Sequence, residues 1–446
     1  MKPNNIVLIS LLLLFSGFAR AQDVRYFSLQ QAVDYAMNNN YQVLISEKNI
    51  EAAKARVLES TAIGLPQVDG KVTYNDNFAR PTFIFPSFTE PGKEIEVQMG
   101  TEYDATLGAT LNQLIFSGQY IVGLKAARKF LEKTTADFFK NKLAVRQQVA
   151  ESYYNILSTE AALSIVDSTY LLTKNLADET QQIYEVGFAE DVDVDQMELL
   201  ASDLEASRVF LRNQRGIAYA FLKFYLGLSD NDSIVLTDNL QSLIEKRQNS
   251  LILSKKFNYS QNADYVSLNK QKELTLLQVS LAKSEYMPTL AARLNYQTQA
   301  QRNSWDFFSQ EGKWYQSAAL GVTLEVPILS SGQRKAKVKQ AKVAFEQIQL
   351  SEKQLITTLN LQYQTAKNEY LNAFLVYKNK DRARKIAEKI YSKTSVKFKE
   401  GMSSSLDILN TQTQYLNAEN DYIKASLALL KAGETLQKLL TNAINP

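Results

Sequence analysis

The sequence predicts a mainly α-helical, internally duplicated chain with a membrane β part: long antiparallel helical hairpins joined to four strands of bilayer-crossing length. Three observations carry this. Gly118 and Gly187 lie 69 residues apart, as do Gly332 and Gly401, and the offset of 214 between the pairs also relates Ser117 to Ser331 and Asp193 to Asp407. Residues 119–186 and 333–400 contain no proline and are rich in helix formers. Ahead of each of those stretches, two segments alternate between apolar and polar residues.

Taken in order, residues 1–21 carry Lys2, an apolar run from Ile6 to Phe18 and the small-residue site Ala19-Arg20-Ala21, the pattern of a secretory signal cleaved before Gln22. Residues 22–228 form a first repeat, 229–261 a linker and 262–446 a second repeat. Ser28 is a suitable N-cap for a helix reaching Asn39, with Leu29, Ala32, Val33 and Ala36 on one face. A second helix, 41–62, ends before Leu65-Pro66, because the residue before a proline avoids the helical region. Strands are expected at 67–78 and 103–116, and in the second copy at 290–299 and 317–326. Ala105, Leu107, Ala109 and Leu111 interleave with Thr106, Gly108, Thr110 and Asn112, a period of two. Each segment is about ten residues, the length of a tilted transmembrane strand. The connections at 79–102 and 300–316 read as loops; they hold Phe83, Phe85 and Phe88, and Trp305, Phe307, Phe308, Trp314 and Tyr315. Such residues suit an interfacial aromatic belt, or packing within the loops.

The proline-free stretches predict helices 119–186 and 333–400, each roughly 100 Å long at about 1.5 Å per residue. Rods of that length must pack against equally long neighbours. In the second, Leu355, Leu359, Tyr363, Ala366, Tyr370, Phe374 and Tyr377 form the apolar stripe, and Leu355, Ala366 and Tyr377 recur every eleven residues. A period of about 3.67 favours a straight or slightly right-handed arrangement able to line a wide cylinder. Helices 190–228 and 403–440 run back after each glycine. Within the linker, Asp230-Asn231-Asp232 marks a turn, 234–237 a short strand and 240–247 a short helix.

Composition narrows the function. Without Lys2 and Arg20, 48 basic residues face 47 acidic ones, a net charge of about +1, so no global field recruits nucleic acid. Cysteine and histidine are absent, which removes disulfides, a lipid-bearing cysteine, Ser-His and Cys-His catalysis and histidine metal sites, leaving carboxylates as the acid-base groups. This argues against an enzyme, and nothing calls for a cofactor or metal. After the signal no run of about 20 apolar residues occurs, so a membrane role must use strands.

The helix Leu29-x-x-Ala32-x-x-Tyr35-Ala36, the Leu65-Pro66 and Met287-Pro288 strand openings, the Phe116-Ser117-Gly118 and Leu329-Ser330-Ser331-Gly332 exits, and Gly401-x-x-Ser404-x-x-Asp407-x-Leu409 together resemble the TolC-like outer membrane efflux protein family. The resemblance covers essentially the whole mature chain. It implies a homotrimer in the outer membrane of a Gram-negative bacterium, four strands per chain completing a twelve-stranded barrel, and an α-barrel tunnel extending into the periplasm. The implied role is the passive conduit of a tripartite efflux or secretion system, partnered by a periplasmic adaptor protein and an inner membrane transporter. Physical reasoning reaches part of this unaided: four strands cannot close a barrel and open edges are not tolerated in lipid. Eight strands from two copies would leave a lumen filled by side chains, whereas twelve from three leave an open pore.

By the same resemblance, Asp193 and Asp407 lie at the periplasmic end of the tunnel, where matching aspartates ring the entrance, narrow it and bind cations. Glu190, Asp191 and Asp195 add acids in the first copy; in the second, Asn410 is neutral where a prominent family member carries a second aspartate. Phe398 and Ser403 replace a tyrosine and an arginine of that member's gate-locking network. Helix capping is the competing reading of the acids, with Ser403, Ser404 or Ser405 as N-cap. The turns Gly187-Phe188 and Gly401-Met402 are the implied adaptor contacts. Lys125, Arg128, Lys129 and Lys133, with Arg334, Lys335, Lys337, Lys339 and Lys342, place positive charge at helix N-termini, which the dipole disfavours and lipid headgroups would favour; a solvated helix face is the alternative. A periplasmic adaptor or coiled-coil scaffold stays open as a second reading, and a hydrolase built on paired carboxylates is a distant third.

Overall fold

Ser28 opens the first helix. Its backbone N–H donates to Gln31 Oε1 (2.9 Å) while its hydroxyl accepts from Gln31 N (3.4 Å), so two otherwise orphaned donors at the helix start are satisfied together. This helix, α1 (Leu29–Asn39), follows β1 (Arg25–Phe27) in a computed structural model that describes residues 24–248, 252–309 and 312–442. The expected signal segment lies outside those residues. Asn40 ends α1 and starts α2 (Tyr41–Ala62): its Oδ1 accepts from Gln42 N at 2.8 Å and its Nδ2 donates to Tyr225 O at 2.7 Å.

Next come β2 (Gln67–Asp76), β3 (Thr82–Pro86), β4 (Glu94–Gln98) and β5 (Tyr103–Ser117), then α3 (Gly118–Glu185) and α4 (Asp191–Leu226). The middle of the chain forms β6 (Ile234–Leu236) and α5 (Leu240–Gln248). The second copy gives α6 (Ala263–Ser284), β7 (Thr289–Arg302), β8 (Tyr315–Glu325), α7 (Gln333–Lys399) and α8 (Ser405–Leu440). The long helices α3 and α7 have 68 and 67 residues, and the return helices α4 and α8 have 36 each. No proline interrupts any of the four. Among the described residues, no helix is long and apolar enough to cross a membrane.

The chain divides into two compact units that cut across the sequence repeats, each repeat contributing to both. One comprises residues up to 49, 136–267 and 353 onward; the other comprises 50–135 and 268–352.

In the first unit, Tyr153, Tyr154, Ile156, Leu222, Leu226, Ile244, Leu429 and Leu430 are fully buried in a core shared by α3, α4, α5 and α8. Strand β1 pairs in parallel with β6, Arg25 opposite Ile234, and the Tyr153 hydroxyl donates to Phe27 O at 2.9 Å. A buried polar group joins three elements: Arg247 of α5 forms an ion pair with Glu434 of α8, and Tyr154 of α3 donates to Glu434 Oε1 at 2.9 Å. Arg247 also donates to Gln437 Oε1 at 2.8 Å. Enclosing two charges carries a desolvation cost that geometry this complete largely offsets. On α7, Leu359, Ala366, Tyr370 and Tyr377 of the expected stripe are buried, and Leu355, Tyr363 and Phe374 are half-buried.

The second unit holds a four-stranded antiparallel sheet in the order β2-β5-β7-β8 and a separate two-stranded sheet, β3-β4. The β3-β4 hairpin occupies a segment expected to be only loop.

Candidate functional site

In the sheet, residue types sort by face. Reading across the strands, Val68, Leu111, Leu294 and Leu320 stand opposite one another in a row, with Gly70, Ala109, Tyr296 and Ala318 as the next row. The reverse face carries Asp69, Thr110 and Asn295, with Lys71, Gly108 and Gln297 alongside. Period-two alternation on paired strands makes one apolar and one polar surface. On the polar side, Thr110 donates to Asn295 Oδ1 at 2.8 Å and Arg293 donates to Asn112 Oδ1 at 2.8 Å. On the apolar side Val72 is 76% exposed and Leu320 72%.

A register shift between Leu114 and Phe116 keeps this sorting intact to the end of β5. Up to Gln113 the odd-numbered residues share the apolar face. The extra residue transfers Phe116 to that face, opposite Leu290, which in turn faces Leu324. Beyond it, α3 begins directly at Gly118, where a Cβ would lie 2.4 Å from Met287 Sδ and 2.9 Å from Met287 Cβ; only glycine permits that approach. Among the described residues, the sheet has two unpaired edges, β2 and β8.

At the other end of these strands the aromatic residues divide. Phe307 is buried, edge-on to Tyr74 at 5.8 Å and tilted against Trp314 at 6.2 Å, whereas Trp305 and Phe308 are exposed. On the β3-β4 hairpin, Phe83 faces Val97 and Phe85 faces Ile95, which gives it one apolar side. Its sequence signal is the β-favouring run Phe83-Ile84-Phe85 and the alternation through 94–98, with Pro91-Gly92 marking the turn between them.

In the first unit, the ends of the two helical hairpins are set by glycine. Gly187 and Gly401 adopt left-handed φ of 81° and 71°, a conformation in which a side chain is strained. Phe188 and Met402 beside them are 84% and 70% exposed. Beneath the turns, Leu176, Met197, Leu200 and Ile408 form a small core with Phe398 and Leu409 packed on it.

Two of the acids at these turns, Asp193 and Asp407, take part in helix caps. Ser404 is the N-cap of α8: its hydroxyl accepts from Asp407 N at 3.2 Å, and Asp407 Oδ2 accepts from Ser404 N at 3.1 Å, Ser404 Oγ at 2.8 Å and Ser403 Oγ at 3.2 Å. These bonds, from the Ser404 backbone N–H first and then the hydroxyls, hold the Asp407 carboxyl below the usual carboxylate range. Asp193 holds the matching place in α4, where its Oδ2 accepts from Glu190 N at 3.4 Å. Its Oδ1 accepts from Ser405 Oγ of the other hairpin at 2.5 Å. Glu190, Asp191, Asp195 and Asn410 are exposed. The Ser405 partnership had no sequence signal beyond the shared offset of the two turns.

In the second unit several of the basic residues have acidic partners. Lys129 pairs with Glu132 (2.8 Å) and Glu273 (3.0 Å), and Lys270 reaches the same Glu132 at 2.9 Å. The hydrogen bonds that Lys129 donates to Glu132 and Glu273 raise its pKa, and those that Glu132 accepts from Lys129 and Lys270 lower its own. Lys337 binds Glu285 at 2.9 Å and Arg334 lies 5.9 Å over the Tyr286 ring. Lys125, Arg128 and Lys335 are exposed.

An amphipathic sheet with open edges and a pair of long hairpins is one arrangement of a known family. The description "Outer membrane efflux protein" matches residues 32–228 and 261–442. The chain belongs to the outer membrane efflux protein family. It is 23% identical over 331 residues to outer membrane protein TolC of Vibrio cholerae serotype O1, spanning 71% of this chain and 68% of that protein. Its fold is similar to the crystal structure of the outer membrane protein VceC of Vibrio cholerae, with a TM-score of 0.70, 14% identity and coverage of 93% of this chain and 96% of that one. It is also similar to the Campylobacter jejuni CmeC outer membrane channel, with a TM-score of 0.71, 16% identity and coverage of 92% and 85%. This efflux protein is therefore an outer membrane channel, and its family is one of channels rather than enzymes.

Proposed function

We propose that the chain is the passive outer membrane conduit of a tripartite efflux or secretion system, closed by three copies. The two-faced sheet with two unpaired edges carries this reading. Joining β2 of one copy to β8 of the next satisfies both edges, and three copies give twelve strands. The row Val68, Leu111, Leu294 and Leu320 then meets lipid, and the row of Asp69, Thr110 and Asn295 meets the water-filled lumen.

TolC-like efflux channels work as trimers with adaptor and pump partners, so cargo selection lies outside this chain. The exposed Phe188 and Met402 at the Gly187 and Gly401 turns are the adaptor anchors in this reading. Asp193 and Asp407, with Glu190, Asp191 and Asp195, put negative charge at the channel entrance, tripled by assembly; four of these acids are on the first hairpin and one, Asp407, is on the second, where Asn410 is neutral. Lys125, Arg128 and Lys335 are the strongest candidates for lipid phosphates; Lys129, Arg334 and Lys337 already have protein partners.

The test is native mass and planar-bilayer recording on protein purified from the outer membrane fraction. A trimer with ion-conducting pores is expected. A monomer recovered from soluble periplasm overturns the proposal.

A further inference from the structure

Three helix faces converge just past the end of the sheet. Arg56 and Ile63 on α2, Gly123 and Phe130 on α3, and Leu274 and Leu281 on α6 each lie seven residues apart, about two turns along one side of a helix. Together they enclose a half-open cavity of about 730 Å³ within the second unit, the size of a small-molecule site. The sheet contributes Leu114 and Ser117. Leu114 stands opposite Ala291 and Ser117 opposite Thr289, so both belong to the polar face, and the cavity adjoins that face rather than the apolar one.

Its lining has two characters. Ile63, Leu124, Phe130, Leu274 and Leu281 are apolar, whereas Arg56 is the one charged residue among the described lining residues, so no acid faces it there. The Arg56 guanidinium carbon lies 4.9 Å from the centre of the Phe130 ring. Stacking on an aromatic face holds the planar group and leaves its N–H edge to meet an oxyanion. Exposed Gln119 and Gln278 add amide groups. At Gly123 a Cβ would meet nothing within 4 Å, although glycine inside a helix is costly relative to alanine. That glycine keeps volume free where packing does not require it.

The walls are tied together. The Tyr120 hydroxyl donates to Thr61 O at 3.3 Å, its ring stands where a Cβ on Gly64 would be, and Gln113 Nε2 donates to Gly64 O at 2.9 Å. The end of α2, the end of β5 and the start of α3 are thus held at fixed spacing. A cavity with such walls is preformed and costs little ordering when it is filled.

We propose that this cavity is a lumenal niche that holds small amphipathic anions in transit: an apolar body of one or two rings packed on Phe130 and Leu274, with a carboxylate, sulfonate or phosphate group on Arg56. This rests on the conduit reading above and names the solute chemistry that the wall retains. Three copies place three such niches around one pore. A neutral apolar solute gains only the floor and an inorganic anion only the cation, so a molecule carrying both parts is favoured over either. Conduction also requires that the hold be weak enough to release.

The test is single-channel recording of the purified protein in planar bilayers with three probes: naphthalene-2-sulfonate, the size-matched cation 2-naphthylmethylammonium, and inorganic sulfate. The sulfonate should reduce the current in a saturable way, and the other two should each need a concentration at least about tenfold higher. Arg56→Gln should raise the half-blocking concentration of the sulfonate about tenfold and leave that of the cation unchanged, with Arg56→Lys falling between. Gly123→Phe, which puts a ring into the cavity, should abolish the block. Equal block by all three probes, a sulfonate block untouched by Arg56→Gln, or one that survives Gly123→Phe overturns the niche, while the conducting pores leave the conduit standing. Protein that forms no pores overturns both.

Discussion

Asp193 and Ser405 are 212 residues apart in sequence and hydrogen-bonded at 2.5 Å, so a carboxylate that begins one return helix is held by the first residue of the other. The bond joins the two hairpin ends of the first unit directly. Asp193→Ala and Ser405→Ala should each lower the unfolding free energy by about 1 kcal/mol, and the double variant should show coupling of roughly 0.5–1.5 kcal/mol. Denaturant unfolding of the four proteins measures it; strict additivity would show that the bond contributes nothing.

Acid should loosen the second turn through Asp407. Its folded-state pKa is lowered, first by the Ser404 backbone N–H and then by the Ser404 and Ser403 hydroxyls. A lowered carboxylate pKa gives stability that is complete above the unfolded value of about 3.9 and is lost as pH falls through the folded value. Amide exchange in the first turn of α8 should therefore be constant from neutral pH to about 5 after correction for intrinsic rates, and should accelerate as pH falls below about 4. Asp407→Asn should remove that acid-dependent step.

Glu434 and Arg247 should be separable only together. Both are under a tenth exposed, and Tyr154 and Gln437 complete their hydrogen bonding. Glu434→Ala strands a buried guanidinium and should cost about 3–5 kcal/mol, whereas Glu434→Leu combined with Arg247→Met should recover most of that loss. Chemical denaturation of the single and double variants distinguishes a buried charge pair from simple packing.

The faces of the sheet should respond oppositely to charge. Leu320→Arg puts a cation on the apolar row and should cost about 2–4 kcal/mol if it falls near the bilayer midplane. A sharp drop in outer membrane yield reads this out. Ser317→Arg, on the polar face beside Gln297, should leave yield unchanged and shift single-channel conductance toward anions.

Local pattern made much of this legible. The absence of proline and the apolar spacing marked α3 and α7 almost to the residue, and strict alternation marked β2, β5, β7 and β8, because helix and strand periods are properties of consecutive residues. Other elements were not expected, among them helix α6 (Ala263–Ser284). Strand β1 has three residues and a partner, β6, more than 200 positions away, too short for any period to register. Hairpin β3-β4 has strands of only five residues, and of these 94–98 alternates whereas Phe83, Ile84 and Phe85 form a continuous apolar run, too short to separate strand from loop. At the turns the helix-capping reading and the entrance reading both invoked Asp193 and Asp407. Capping is what the hydrogen bonds display, since a cap needs only residues three positions apart.

By itself the sequence determined the lengths, the periods and the two faces of each element, and with them a duplicated chain whose strands and helices are amphipathic. Only the tertiary structure decided which of those faces are covered. It buried Leu359 and Tyr377 while leaving Leu361 and Leu375 open on the same helix, tied Asp193 to Ser405, enclosed Arg247 with Glu434, and used the irregularity before Phe116 to keep an apolar face continuous. The physical reason is range. Periodicity is fixed by backbone geometry within a few residues, but burial depends on which distant segments meet, and that is settled by packing of the whole chain.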